Sequence, residues 1–277
     1  MNKLPLYHVD AFASRLFAGN PAAVVPLEDW LPDPVLQQIA AENNLSETAF
    51  FTARAEDFDL RWFTPKIEVE LCGHATLAAA YVIVTYLQPR RQRMRFHTKS
   101  GILTVERDGQ RLNLDFPSRM PEPVDQGCKE LVAEALGQTP IDVFKAGKIM
   151  ALLPSSAAVR AARPDLAKVK ALEGQGLIIT APAGAGERPA DFVSRYFAPH
   201  AGVDEDPVTG SAHCLLTPFW AKRLKKNALH ALQVSARGGE LFCTNKGPRV
   251  IISGQVIPYL EGQISVPVAR QTWQAAK

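Results

Sequence analysis

The chain has 277 residues, 47% of them hydrophobic and 21% charged, which is more than one ordinary core needs. A formal net charge of +3 is too small to argue for nucleic acid, and the basic runs from Arg90 to Arg95 and from Lys222 to Lys226 sit where helices end. Cys72, Cys128, Cys214 and Cys243 form no CxxC pair and no metal spacing, and Met1 to His8 contain no signal peptide or anchor, so a cytoplasmic protein with reduced thiols and no membrane association is expected.

In chain order, Leu6 to Phe12 alternate like a strand, and Gly19-Asn20-Pro21 turns into a buried strand, Ala22 to Val25. Leu31-Pro32-Asp33 opens an amphipathic helix in which Leu36, Ile39 and Ala40 share a face. Strands follow at Glu47 to Thr52 and Phe58 to Phe63. From His74 to Leu87 there is no charged side chain, which predicts a core helix of about 14 residues, too short to span a bilayer. A strand from Met94 and a hairpin, Ile102 to Glu106 and Arg111 to Phe116, turned at Asp108-Gly109, complete this half. The linker is placed between about residues 117 and 125, at Pro117, Pro121 and Pro123.

The second half repeats this order. Arg61-Trp62-Phe63-Thr64-Pro65 is answered by Arg195-Tyr196-Phe197-Ala198-Pro199, and Cys72-Gly73-His74-Ala75 by Thr209-Gly210-Ser211-Ala212. Gly101, Gly109 and Arg111 recur at one constant offset as Gly239, Gly247 and Arg249. Two similar domains are expected, residues 1–118 and 119–277, with the extreme C-terminus a candidate to pack back on the first. Two helix N-termini would face one another across a cleft, and an anion between them would feel both dipoles. Pro218, inside the second apolar helix, is expected to kink or shorten it.

Four residue types carry the chemistry. Glu47 begins a strand; if it shares a face with Ala49 and Phe51 it points with core side chains, where burial raises a carboxyl pKa toward acid/base use, whereas a surface glutamate is the plain alternative. His74 opens the apolar helix, where the helix dipole disfavours imidazolium and leaves a neutral ring able to give or take a proton. Asp206 and Ser211 are read as flanking the pocket opposite them, against a merely capping role. Gly73 and Gly210 would offer backbone N–H groups to an anion, with Thr209, Asn20, His8 and Asp10 as further binding candidates. Cys72 raises the rival of a two-thiol racemase, but its match in the second half is Thr209. Glu47 also lacks an acidic counterpart, since the comparable strand reads Gly176-Leu177-Ile178-Ile179-Thr180. One unmatched base points to an isomerisation on one face. No metal cluster, dinucleotide loop or Ser-His-Asp set appears, which leaves cofactor-free proton transfer.

The motifs Gly19-Asn20-Pro21, Asn44-Leu45-Ser46-Glu47-Thr48, Phe63-Thr64-Pro65, Cys72-Gly73-His74-Ala75-Thr76, Asp206-Pro207-Val208-Thr209-Gly210-Ser211-Ala212 and Arg237-Gly238-Gly239 resemble, in order, the PhzF-type phenazine-biosynthesis-like family, relatives of diaminopimelate epimerase. The resemblance implies an α+β fold of two pseudo-symmetric epimerase-like domains, each a β-barrel-like sheet around a central helix, and a homodimer. It implies an isomerase of the type that acts on a dihydro-hydroxyanthranilate without cofactor, with Glu47 moving the proton and His74, Asp206 and Ser211 assisting. Cys72 is a departure toward the epimerase pattern. The expected partner is a small carboxylate-bearing metabolite, cyclic or amino-acid-derived. The rivals are a Cys72-dependent racemase and a binding protein that keeps the fold without turnover.

Overall fold

The computed structural model describes residues 2–267. The first half runs β1 (Asn2–Ala11), β2 (Asn20–Leu27), α1 (Asp33–Asn43), β3 (Glu47–Arg54), β4 (Asp57–Phe63), β5 (Glu68–Val69), α2 (Gly73–Val82), β6 (Arg93–Thr98), β7 (Gly101–Asp108) and β8 (Arg111–Pro117). A short β9 (Glu122–Pro123) and α3 (Gln126–Leu136) lead into the second half. That half runs β10 (Asp142–Ala146), β11 (Lys148–Leu152), α4 (Ser156–Ala161), α5 (Leu166–Ala171), β12 (Leu177–Pro182), β13 (Phe192–Ala198), β14 (Val203–Asp206), α6 (Gly210–Leu224), β15 (Ala228–Gln233), β16 (Gly239–Lys246), β17 (Arg249–Gly254) and β18 (Val256–Val266).

The pairings repeat as the sequence does. In the first half β1 and β2 are antiparallel, β2 and β3 parallel, β3 and β4 antiparallel, and β4 and β6 parallel. In the second half β10, β11, β12, β13 and β15 follow the same alternation. Each half ends in a hairpin, β7–β8 and β16–β17, and the two hairpins pair through β8 and β17 into one continuous ribbon. Strand β18 runs back along β1, while β9 joins β10. The chain beyond Pro267, where the sequence suggested a return to the first domain, lies outside the described residues.

Helix α2 packs on β1, β2, β3 and β8, and eight of its ten residues are buried, as a helix without a polar face requires. It continues from Ile83 to Leu87 as a π-helical turn. The corresponding α6 packs on β15, β16 and β17. On the outer face of the first-half strands, Leu36, Ile39 and Ala40 of α1 bury against Val25 and Phe50. Pro218 does not shorten α6, which runs unbroken through it to Leu224. Proline cannot donate to the carbonyl four residues earlier, and here the backbone N–H of Arg119 donates to the Cys214 carbonyl at 2.9 Å. Among the described residues no helix is long and apolar enough to cross a membrane.

Candidate active site

The N-termini of α2 and α6 meet at the centre of the molecule. A Cβ placed on Gly73 would lie 3.8 Å from the Gly210 Cα, so the two glycines allow the helix heads to come together. Neither N-cap residue, Cys72 or Thr209, caps its helix with a side chain. First-turn N–H groups have no carbonyl four residues back to bond. A cavity of about 210 Å³ opens beside this junction, bounded by Glu47, Cys72, Gly73 and His74 from one half and Asp206, Thr209, Gly210 and Ser211 from the other. Phe116, Tyr196, Val203 and Leu71 supply apolar walls.

Strand alternation explains how Glu47 gets there. Ala49 and Phe51, two and four residues on, pack in the cluster around α2, whereas Phe50 points to the α1 side. Glu47 therefore faces the central helix, with only 18% of its side chain exposed, and its Oε2 lies 3.0 Å from His74 Nε2. The pair is within ion-pair distance but misaligned for a hydrogen bond, so both atoms are buried without a hydrogen-bond partner among the described residues.

Burial by itself penalises a charged His74 ring. The Glu47 carboxylate acts the other way and raises its pKa above the usual histidine value, against the neutral ring that the helix dipole led the sequence reading to expect. Burial, reinforced by Glu47, pushes the Cys72 thiol up to about 11, so Cys72 is S–H near neutrality. Asp206 is pushed up to about 6 by burial and by Glu47, against the pull of His74, Thr209 and Asn20. Its carboxylate accepts from Thr209 Oγ1 at 2.5 Å and from Asn20 Nδ2 at 2.7 Å. Gln233 braces this corner, accepting from the Thr209 N–H and donating to the Asp206 carbonyl.

Of the further binding candidates, Thr209 lines the cavity but Asn20, His8 and Asp10 do not. Asn20 is fully buried behind it. Asp10 is turned to Arg237, which also holds the carbonyls of Ala18 and Gly19, while His8 packs edge-on against Tyr259. All three lie on β1 or β2, and which side of the cavity those strands back onto is a tertiary matter. The Arg237-Gly238-Gly239 motif serves this contact, since a Cβ on Gly239 would sit 2.2 Å from Val208 Cγ2. Sequence reasoning did not single out Phe116, Tyr196 or Gln233. The repeat marks Tyr196 as the partner of Trp62, whereas a lone strand glutamine such as Gln233 carries no signal.

Glu47, Cys72 and His74 also place one donor atom each within 4.8 Å of one another. The thiol approaches the ring at Nδ1 and the carboxylate at Nε2, so no point along one nitrogen lone pair faces both, and the set makes a poor coordination sphere.

The fold and the paired helix heads define the diaminopimelate epimerase-like class. The family description "Phenazine biosynthesis-like protein" matches residues 9–262. An uncharacterized isomerase of Pseudomonas aeruginosa is 50% identical over 263 residues, covering 95% of this chain and 98% of the relative. A crystal structure of a phenazine biosynthesis protein of the PhzF family from Enterococcus faecalis superposes with a TM-score of 0.91 at 43% identity, covering 96% of this chain and 100% of that one. A predicted epimerase of Pseudomonas aeruginosa, at 21% identity and TM-score 0.75 over 95% of this chain and 100% of that one, shows the shared fold alone. The chain belongs to the PhzF, or phenazine biosynthesis-like, family.

Proposed function

We propose that this protein is a cofactor-independent isomerase that moves a proton along one face of a small carboxylate-bearing metabolite, cyclic or amino-acid-derived. The substrate carboxylate lies at the open N–H groups of Gly73-His74 and Gly210-Ser211. The Glu47 carboxylate takes a proton from carbon and, as the carboxylic acid, returns it to another carbon of the same substrate, so nothing is oxidised and no group is lost. His74 and Asp206 orient the substrate and balance developing charge, with Ser211 beside them. The family, and the relative named an isomerase, support the reaction class.

The observation that carries the single-base reading is the position opposite Glu47. Register makes it Gly176: Thr48 pairs with Phe63 as Leu177 pairs with Phe197, and each preceding residue is Glu47 or Gly176. A Cβ on Gly176 would lie 2.4 Å from the Phe197 carbonyl oxygen and 3.0 Å from the Tyr196 hydroxyl. That position has no room for an acid. The thiol rival is disfavoured because Cys72 holds its proton up to about 11 and faces Thr209, whose hydroxyl is engaged with Asp206.

The test is deuterium uptake from heavy water into a panel of cyclic and amino-acid-derived carboxylates. Wild type labels one of them, Glu47→Gln lowers the rate by roughly 10²–10⁴-fold, and Cys72→Ser stays within a few-fold. Collapse in Cys72→Ser would establish the racemase instead, and no label across the panel favours a binding protein. We further propose that the chain divides into domains at 118/119 and, from the family resemblance, that it forms a homodimer in the cytoplasm; sedimentation of the purified chain reads the dimer.

A further inference from the structure

Asn20 does not line the cavity, yet it touches both halves of the site. Its Nδ2 lies 2.7 Å from Asp206 Oδ1, 2.9 Å from the Val208 carbonyl oxygen and 3.2 Å from His74 Nδ1. Backbone carbonyls and ionised carboxylates only accept, so the amide must present its nitrogen here; turned over, its oxygen would face two oxygens. The orientation leaves Asn20 Oδ1 buried without a partner among the described residues, which costs free energy and is tolerated because the reverse costs more.

A second donor reaches the same ring atom. The Cys72 sulfur lies 3.6 Å from His74 Nδ1, and that thiol keeps its proton near neutrality. The two Asn20 hydrogens serve the Asp206 and Val208 oxygens at the shorter distances, but the amide nitrogen cannot accept, and the thiol sulfur accepts only weakly. An Nδ1–H would therefore have no good partner, and the ring proton sits on Nε2, the atom 3.0 Å from Glu47 Oε2. The groups facing His74 are thus Glu47 from β3, Cys72 at the head of α2 and Asn20 from β2, with Asp206 beyond Asn20. Glu47 draws a second proton to the ring, and that proton enters at Nδ1, beside an amide nitrogen that cannot accept it and a weakly accepting sulfur.

We propose that Asn20 is a positioning residue that holds His74 as the Nε2–H tautomer, so that the imidazole shows its proton to the Glu47 side of the cavity and not to Asp206. This deepens the reading of Glu47 and His74 as the proton-transfer centre and rests on it, but its test needs no turnover. Long-range ¹H–¹⁵N correlation spectra of the ¹⁵N-labelled full chain, with His74 assigned by its loss in His74→Asn, report which ring nitrogen is protonated. Above the pH at which the ring gives up its second proton, the wild type shows Nε2 protonated and Nδ1 bare. Asn20→Asp, which puts an acceptor at Nδ1, raises the proton affinity of the ring at least tenfold, so the doubly protonated pattern persists to a pH about one unit higher than in the wild type.

A singly protonated wild-type ring that carries its proton on Nδ1 overturns the proposal, as does an Asn20→Asp ring that titrates as in wild type. Should that variant not fold, the wild-type tautomer alone decides. An active Glu47→Gln enzyme would end the single-base reading while leaving the tautomer as measured, so the two failures are distinguishable.

Discussion

The two halves share a scaffold and differ in chemistry. In the first, Arg61 of β4 grips Glu68 in two hydrogen bonds of 2.8 and 2.9 Å; in the second, Arg195 of β13 grips Glu205 at 2.7 and 2.8 Å. Each clasp lies five residues ahead of the glycine that opens the central helix, and each holds the strand that delivers that helix head. On this common frame Glu47 is matched by Gly176, Trp62 by Tyr196, Val69 by Asp206, Cys72 by Thr209 and His74 by Ser211. Duplicated architecture preserves the junction of the two helix heads, because that junction is backbone. The side chains around it are free to diverge, and they have: one half brings Glu47, Cys72 and His74 to the cavity, the other Asp206, Thr209 and Ser211.

The sharpest way to break the comparison is to refill the missing position. Gly176 sits at φ 118°, and Gly176→Ala adds both strain and a clash with the Phe197 carbonyl. A loss of about 3 kcal/mol in urea unfolding is expected; a loss below about 1 kcal/mol would mean that the position matched to Glu47 has space for a side chain after all.

The clasps should also prove unequal. The Arg195 side chain is 9% exposed and its Nη1 additionally donates to the carbonyls of Val159 and Ala162, whereas Arg61 is 22% exposed and reaches the open Asp33. Arg195→Met leaves Glu205 unpaired beside α4 and should cost about 3 kcal/mol. Arg61→Met should cost roughly 1 kcal/mol. Equal losses in chemical denaturation would contradict the difference in burial.

The smallest effect concerns pH. Asp206 titrates near 6 in the fold, above its ordinary 3.8, so its contribution to stability is full below the lower value and is lost as pH rises through the upper. His213 is fully buried, donates Nδ1–H to the Thr209 carbonyl, and is held down to about 4 by burial. Its contribution is present above the ordinary 6.5 and is lost as pH falls toward 4. Around pH 5 the two slopes oppose one another. His213→Gln removes one of them, so relative to wild type its stability should fall by about 1 kcal/mol per pH unit as pH rises through that window. Parallel stability–pH curves would show that His213 is not buried neutral.

Much of this was legible in the chain. The uncharged stretch after Gly73 could only be a buried helix, because a helix without a polar face has nowhere else to go. The constant offset between the hairpins made the pseudo-symmetry visible, and the alternation of Glu47 with Ala49 and Phe51 told which way that carboxylate points. The glycine opposite Glu47 was also readable, as a residue type at a matched strand. Three-dimensional packing decided the rest. That α6 passes through Pro218 depends on the N–H of Arg119, from the end of the first half of the chain, reaching the freed Cys214 carbonyl. That Asn20 meets His74 and Asp206 while His8 and Asp10 turn away depends on how two halves close on each other. Periodicity is a local property of the chain, so sequence alone determines which face of an element is buried; what that face meets is set by contacts between residues far apart in sequence, and only the folded structure supplies them.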